Sequence, residues 1–360
     1  MKVLHVINRC KIGDGAAKLL LDIAKRQIKE GYTVDILALS NSYPSYKDDF
    51  VQAGCGFKYL LSDKSCIKNP KLITLLGKVI QGYDIVHTHL FPTFYWVALA
   101  KKIYGGNYKL IHTEHAPKNN RQKWWLRFIE RYIYKEYDAI VAISEAVKNR
   151  MELHLGSSFN IKIVENGIDV SEYVKACPSS RLDLKIPEDA IILTQAARFS
   201  PEKDQRTVVK SLLRLPLNYH VIFLGGGELM NDVKTYAVRL TVDDRVHFLG
   251  IRDDLPSIFK MSDIIIMSSN FEGFGLAAVE GMAAMKPVIA SNIPGLAHIV
   301  DGAGVLFKLH DDKDLANKVK SLIEDKQYYN DVSYKCYMRA ERYDICNTVH
   351  GYSEIYKSVL

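Results

Sequence analysis

Short apolar runs alternate along this chain with longer stretches that carry a helical period. Runs rich in β-branched residues predict strands at 3–7, 34–39, 84–87, 110–113, 139–143 and 162–164. A second series follows at 191–195, 220–224, 246–248, 264–267, 287–290 and 305–307. Between them, amphipathic stretches at 16–30, 201–214, 229–240 and 315–325 predict helices. Strands that are apolar throughout and alternate with helices belong to parallel sheets covered on both faces.

Turn and linker chemistry gathers between Asn166 and Asp189, with Asn-Gly, Cys-Pro-Ser-Ser and Ile-Pro-Glu-Asp. The expectation is an α/β protein of two Rossmann-like halves, each with a parallel sheet, facing across a cleft. The first domain is placed at 1–175 and the second at 176–335. A terminal helical stretch at 336–360 either stays with the second domain or crosses back to the first.

The 360 residues suit two domains. No apolar run is long enough to span a membrane. The first residues, Met1 to Ile7, are soon interrupted by Asn8 and Arg9 and read as a strand, not a signal peptide. Six scattered cysteines without a C-x-x-C pair point to reduced thiols and a cytoplasmic location, and argue against structural zinc.

The net charge of +7 is unevenly placed. Residues 118–135 carry Lys118, Arg121, Lys123, Arg127, Arg131 and Lys135 against Glu130, interleaved with Trp124, Trp125, Phe128 and Tyr132. Such a segment suits a peripheral contact with an anionic membrane face, or a surface helix packed on the sheet. No nucleic-acid partner is expected.

The densest chemistry lies in Ser269-Asn270-Phe271-Glu272-Gly273-Phe274-Gly275-Leu276-Ala277-Ala278-Val279-Glu280. The glycines fall at a strand-to-helix turn, where backbone must approach closely and take unusual dihedrals. A helix N-terminus there offers free N–H groups to a phosphate. Glu272 projects from the turn and Glu280 lies about one and a half turns into the helix. Two carboxylates can accept hydrogen bonds from sugar and ribose hydroxyls.

Arg198 follows an earlier strand. Ser200-Pro201 reads as an N-cap with proline at N1, which puts Lys203 in a first helical turn. A lysine opposes the helix dipole there unless an anion is bound beside it. Arg198 and Lys203 either clamp a diphosphate or are solvated surface charges.

The loop Lys11-Ile12-Gly13-Asp14-Gly15-Ala16-Ala17 opens a helix after the first strand but is not the G-x-G-x-x-G of dinucleotide folds. Gly15 either approaches a phosphate or sugar closely or only shapes the turn. The loop at Gly225-Gly226-Gly227 is a second turn suited to nucleotide approach. His87, His89, His112 and His115 end neighbouring strands, where open α/β sheets bind ligands. Their spacing gives no fixed metal-ligand pattern, so hydrogen bonds to sugar hydroxyls are expected in place of a metal.

Taken together, these residues resemble the retaining glycosyltransferases of family 4 (group 1), whose GT-B fold has two Rossmann-like domains. The resemblance spans nearly the whole chain and is strongest at the E-x7-E signature, Glu272 to Glu280. Arg198 and Lys203 fit the family's donor-diphosphate pair. Glu165-Asn166-Gly167-Ile168-Asp169 is similar to its inter-domain Asn-Gly-Ile-Asp, and Ser144 to the serine ending a first-domain strand. The N-terminal loop departs from the family, with Asp14-Gly15 and Ala17 where Gly-Gly and then Glu are usual.

The resemblance implies that Glu272 contacts the donor sugar, that N–H groups of Gly273, Phe274, Gly275 and Leu276 face sugar and phosphate, and that Glu280 binds ribose. It implies that His115 contacts the sugar near its 6-position, and that no metal or other cofactor is needed. The implied reaction moves a hexosyl unit from a nucleoside-diphosphate sugar, such as a UDP-sugar, to an acceptor hydroxyl with retention. A lipid-linked glycan at the inner membrane face is the acceptor suggested by 118–135, as in bacterial polysaccharide biosynthesis. A nucleotide-sugar 2-epimerase and a non-catalytic nucleotide-sugar-binding regulatory module are the rival readings.

Overall fold

A computed structural model describes residues 1–41, 44–62, 67–115 and 126–360. They form two compact units, one of 1–167 with 345–360 and one of 168–344.

Unit 1 holds a seven-stranded parallel sheet: β1 (Lys2–Ile7), β2 (Thr33–Ser40), β3 (Gly56–Leu61), β4 (Ile85–His89), β5 (Lys109–Glu114), β6 (Ala139–Ala142) and β7 (Ile161–Ile163). Its order is β3-β2-β1-β4-β5-β6-β7. Unit 2 holds a six-stranded sheet: β8 (Ile191–Ala196), β9 (Tyr219–Leu224), β10 (Val246–Gly250), β11 (Ile264–Met267), β12 (Val288–Ser291) and β13 (Val305–Phe307). Its order is β10-β9-β8-β11-β12-β13.

In each sheet the chain starts near the middle, runs to one edge, then returns to build outward on the other side. The order reverses between β1 and β4 in unit 1 and between β8 and β11 in unit 2. The carboxyl ends of those strand pairs are where an open α/β sheet leaves a crevice for ligand.

The strands form because their residues are apolar on both faces. Val3, Val6 and Ile7 of β1, and all of Ile264 to Met267 in β11, are buried. Helices cover each face, as a parallel sheet requires. Strand β3 was not foreseen. It is the edge strand beside β2, its side chains are mostly only part-buried, and Lys58 interrupts its apolar run. Gly54 and Gly56 before it further break up its signal, whereas the other edge strands, β7, β10 and β13, were foreseen.

The division between units falls at 167/168, inside the turn-rich segment and earlier than the expected bound of 175. Helix Val170–Lys175 packs against helices Leu255–Met261 and Leu276–Ala283, so it belongs to unit 2. The chain leaves unit 2 through Tyr343 and Asp344, which run beside Ile168, and the Ile168 N–H donates to the Tyr343 carbonyl at 2.9 Å. Helix Lys326–Ala340 stays with unit 2. The closing helix, Ile345–Val359, returns to unit 1 and packs on the first helix, Gly15–Lys29. There Tyr32 Oη donates to Ser353 Oγ at 2.8 Å.

Candidate functional site

In unit 2 the chemistry gathers where the strand order reverses. Arg198 follows β8 and Glu272 follows β11, and these strands are neighbours. The segments beyond them are stitched together. Lys203 and Ser269 form an isolated antiparallel bridge. The Asp204 N–H donates to the Ser268 carbonyl at 3.0 Å, and the Asn270 N–H to the Glu202 carbonyl at 2.8 Å. The Asn270 side-chain amide donates to the Pro201 carbonyl at 2.8 Å.

This stitching places Lys203 differently from the sequence expectation. Ser200 is not the N-cap and Pro201 is not N1. Asp204 caps helix Gln205–Ser211, its carboxylate accepting from the Thr207 N–H at 3.2 Å and the Thr207 hydroxyl at 2.6 Å. Lys203 therefore sits before the helix, in a turn held by its N–H to the Ser200 carbonyl at 2.9 Å. The helix-dipole argument does not apply to it. The cap moves to Asp204 because a carboxylate accepts two bonds there, and because Pro201, Glu202 and Lys203 are occupied by residues 269 and 270.

The Lys203 ammonium pairs with Glu272, and it lies 3.4 Å from Ser269 Oγ. Both side chains are mostly shielded, at 17% and 18% exposure. Arg198 is exposed, and its carbonyl accepts from Gln205 Nε2 at 3.1 Å. The Ser200 hydroxyl, then the charges of Arg198 and Lys203, hold the Glu202 carboxyl below its ordinary range. The segment thus interleaves two cations, Arg198 and Lys203, with two carboxylates, Glu202 and Glu272.

Gly275 is the N-cap of helix Leu276–Ala283 and is left-handed, with φ 95°, so glycine is required there. The Ala278 N–H donates to the Gly275 carbonyl at 2.9 Å, and the first N–H groups of a helix have no partner within the helix. Glu280 lies part-buried within the same helix. Gly295 has no place in the sequence reading, yet it bears directly on the site. A Cβ there would lie 2.0 Å from the Glu272 carbonyl oxygen. Only glycine lets helix Pro294–Val300 approach the Glu272 backbone. Its single signal in sequence is the Pro-Gly pair, which reads as an ordinary turn.

Gly225 and Gly227 serve close approach, but to protein. Cβ atoms there would lie 2.3 Å from the Ala197 carbonyl oxygen and 2.2 Å from that of Phe199. They press the loop after β9 onto the backbone flanking Arg198.

Unit 1 is built differently at its own point of reversal. His5 of β1, His87 and His89 of β4 and His115 beyond β5 form one cluster with Gln27 of the first helix and Tyr352 and Tyr356 of the closing helix. His5 Nδ1 lies 2.9 Å from His89 Nε2, and His89 Nδ1 lies 3.2 Å from His115 Nε2. His87 lies 2.8 Å from Tyr356 Oη and 2.7 Å from Thr113 Oγ1. Burial pushes the His5 and His115 rings down to about 4 and holds His87 and His89 well below the ordinary imidazole range. At neutral pH all four are uncharged.

His5, His87 and His89 offer ring nitrogens within 4.8 Å of one another, a spacing that could hold a metal ion. Their nitrogens are already engaged with one another and with Gln27, Tyr356 and Thr113. His112 stands apart, stacked on Phe94 and hydrogen-bonded to Thr88 Oγ1 at 3.0 Å. It is a packed core side chain. Sequence reasoning missed His5, Gln27, Tyr352 and Tyr356, because a buried polar residue inside an apolar period carries no mark of its partners.

Gly15 opens the first helix, and a Cβ there would meet nothing within 4 Å. Gly13, with φ 89°, is the residue whose turn needs glycine. Ser144 caps helix Glu145–Leu155 through the Val147 N–H at 3.3 Å, and Asp169 caps Val170–Lys175.

Of the basic segment, residues 118–125 lie outside the described residues. The rest forms helix Leu126–Tyr134, which buries Ile133 and Tyr134 and leaves Phe128 71%, Ile129 48% and Tyr132 50% exposed. Among the described residues no helix is long and apolar enough to cross a membrane.

Comparison with known proteins agrees with this architecture. The family model for glycosyl transferases group 1 matches residues 178–339, and that for glycosyltransferase family 4 matches 13–172. The chain is 28% identical to the UDP-Gal:alpha-D-GlcNAc-diphosphoundecaprenol alpha-1,3-galactosyltransferase of Escherichia coli, over 91% of this chain and 89% of that one. It is 24% identical to the N-acetyl-alpha-D-glucosaminyl L-malate synthase of Bacillus anthracis, over 78% and 76%. In fold it is similar to Anabaena Alr3699/HepE, solved with UDP-glucose, with a TM-score of 0.85, 21% identity and coverage of 99% and 100%. Two Rossmann-like units of this topology, matched in turn by the two family models, make the chain a member of the family 4 (group 1) glycosyltransferases, with the GT-B fold.

Proposed function

We propose that the protein transfers a hexosyl unit from a UDP-sugar to the hydroxyl of a lipid-linked glycan, with retention at the anomeric carbon. The observation that carries the reading is the cluster in unit 2. Lys203 pairs with Glu272 beyond the carboxyl ends of the neighbouring strands β8 and β11, Arg198 lies in the segment after β8, and helix Leu276–Ala283 starts four residues after Glu272. Cations and helix N–H groups stabilise the negative charge that develops on a departing diphosphate.

In this reading Arg198 and Lys203 hold the donor diphosphate. Gly273, Phe274, Gly275 and Leu276 present backbone N–H groups, Glu272 accepts from sugar hydroxyls and Glu280 from ribose. His115 contacts the donor sugar. Lys203 pairs with Glu272. A bound diphosphate would compete for that ammonium and release Glu272 to the sugar. The leaving-group charge is met by side chains and helix N–H groups, so the reaction needs no metal. Turnover lost on chelation and restored by a divalent cation would refute this.

Two relatives lend the substrate classes. One is named for UDP-galactose and a diphosphoundecaprenol acceptor, and the Anabaena protein was solved with UDP-glucose. The exposed Phe128, Ile129 and Tyr132, beside Arg127 and Arg131, favour a peripheral contact with anionic lipid. The deciding experiment is incubation with a panel of UDP-sugars and lipid-linked acceptors, with NMR of the product's anomeric configuration. An inverted product rules out retention. Absence of both transfer and donor hydrolysis across the panel rules out the enzyme reading. Flotation with anionic vesicles tests the lipid contact, and unchanged binding on Phe128→Ser/Tyr132→Ser would remove it.

A further inference from the structure

Gln27 is fully buried on the first helix, in unit 1, with its side-chain amide at the head of two hydrogen-bonded chains. Its Oε1 lies 2.9 Å from His5 Nε2. Its Nε2 lies 3.4 Å from Tyr356 Oη. An amide oxygen can only accept and an amide nitrogen can only donate. Each uncharged imidazole has one N–H and one bare nitrogen. One end of each chain therefore fixes every later member.

From Oε1 the order is forced. His5 donates through Nε2, so its Nδ1 is bare and accepts from His89 Nε2. His89 Nδ1 is then bare and accepts from His115 Nε2. His115 is left with a bare Nδ1, which has no partner among the described residues. From Nε2 the second chain runs the same way. The amide donates to Tyr356, Tyr356 donates to His87 Nδ1, and His87 Nε2 donates to Thr113. Thr113 in turn meets Tyr352 Oη at 3.2 Å. All four rings emerge as Nε2–H tautomers.

We propose that Gln27 is the positioning residue that fixes the tautomer of His115 and presents its Nδ1 as a hydrogen-bond acceptor to a hydroxyl of the donor sugar. This rests on the reading of His115 as a sugar contact. His115 is only partly exposed; its Nε2 is committed to His89, while its Nδ1 has no partner among the described residues. The closing helix is part of the device, because Tyr356 Oη links the second end of the amide to His87. An amide turned end for end would reverse both chains, and His115 would then present Nδ1–H, a donor.

The test is long-range 1H–15N NMR of the full chain with 15N-labelled histidine, near pH 7 and without donor. The wild type should show His5, His87, His89 and His115 all as Nε2–H tautomers. Nδ1–H at His115 overturns the proposal. In Gln27→Met, which removes both polar ends, His5, His89 and His115 should become tautomer mixtures. The donor kcat/KM should fall about tenfold, the loss expected of one hydrogen bond. A single unchanged tautomer at His115 in that variant also overturns it. Should Gln27→Met fail to fold, the wild-type tautomers still decide. Gln27→Glu, whose protonated carboxyl accepts and donates at the same two ends, should keep the Nε2–H pattern. A tautomer shift with unchanged kcat/KM would leave the role of Gln27 intact and remove His115 from the sugar site.

Discussion

The two units share a topology and differ in what they place where the strand order reverses. In unit 2 the reversal holds charge: Arg198, Lys203, Glu202 and Glu272, partly open to water and closed in by glycine. In unit 1 it holds a buried network of neutral rings, His5, His87, His89 and His115, with Gln27 and two tyrosines. On the proposed reading, one site is prepared for an anion and the other for uncharged hydroxyls. A diphosphate needs charge that survives contact with water, whereas sugar hydroxyls need donors and acceptors fixed in direction.

The sharpest way to break this contrast is to remove the charge from unit 2. Lys203→Ala should lower kcat/KM by about 10²–10³-fold, the scale of losing one preorganised group at developing charge. Circular dichroism should show the fold intact. Near-wild-type kcat/KM would show that the cationic cluster is only surface charge.

Gly295→Ala probes the packing behind the charge. The new Cβ would lie 2.0 Å from the Glu272 carbonyl oxygen, so helix Pro294–Val300 must move away. Overpacking of this kind costs about 1–3 kcal/mol and should lower Tm by several degrees. It should also weaken donor binding, because Glu272 shifts with its backbone. Unchanged Tm and KM would mean that the contact is slack.

Acid should separate the units most gently. His5 and His115 are pushed down to about 4 in the fold, against an ordinary 6.5. Between those values the unfolded chain binds more protons than the folded one, so acidification favours unfolding. Stability is fully present above pH 6.5 and falls as pH drops toward 4, by at most about 1.4 kcal/mol per unit for each ring. Thermal melts from pH 7 to 5 should therefore show falling Tm, and His5→Phe should flatten the slope. A Tm independent of pH across that range would show that the rings are not held neutral.

Much of this was legible in the residues themselves. Twelve of the strands were foreseen from their apolar runs, the edge strands β7, β10 and β13 among them, and β3 escaped because Gly54, Gly56 and Lys58 break up the start of its run. The turn after β11 announced itself through glycines between two carboxylates. The place of Lys203 was misread from Ser200-Pro201, because local cap chemistry cannot register that residues 269 and 270 hold the same backbone.

The sequence alone determined the alternation of buried strands and amphipathic helices, and the residue types beside the E-x7-E turn. Those are local properties, set by side-chain period and by the dihedrals that glycine permits. The tertiary structure decided which distant residues share a site. It carried the closing helix back to unit 1, so that Tyr356 meets Gln27 and His87, and it set Gly295 against Glu272. Contacts between residues hundreds of positions apart depend on the register and packing of whole elements, and no local pattern in the chain encodes them.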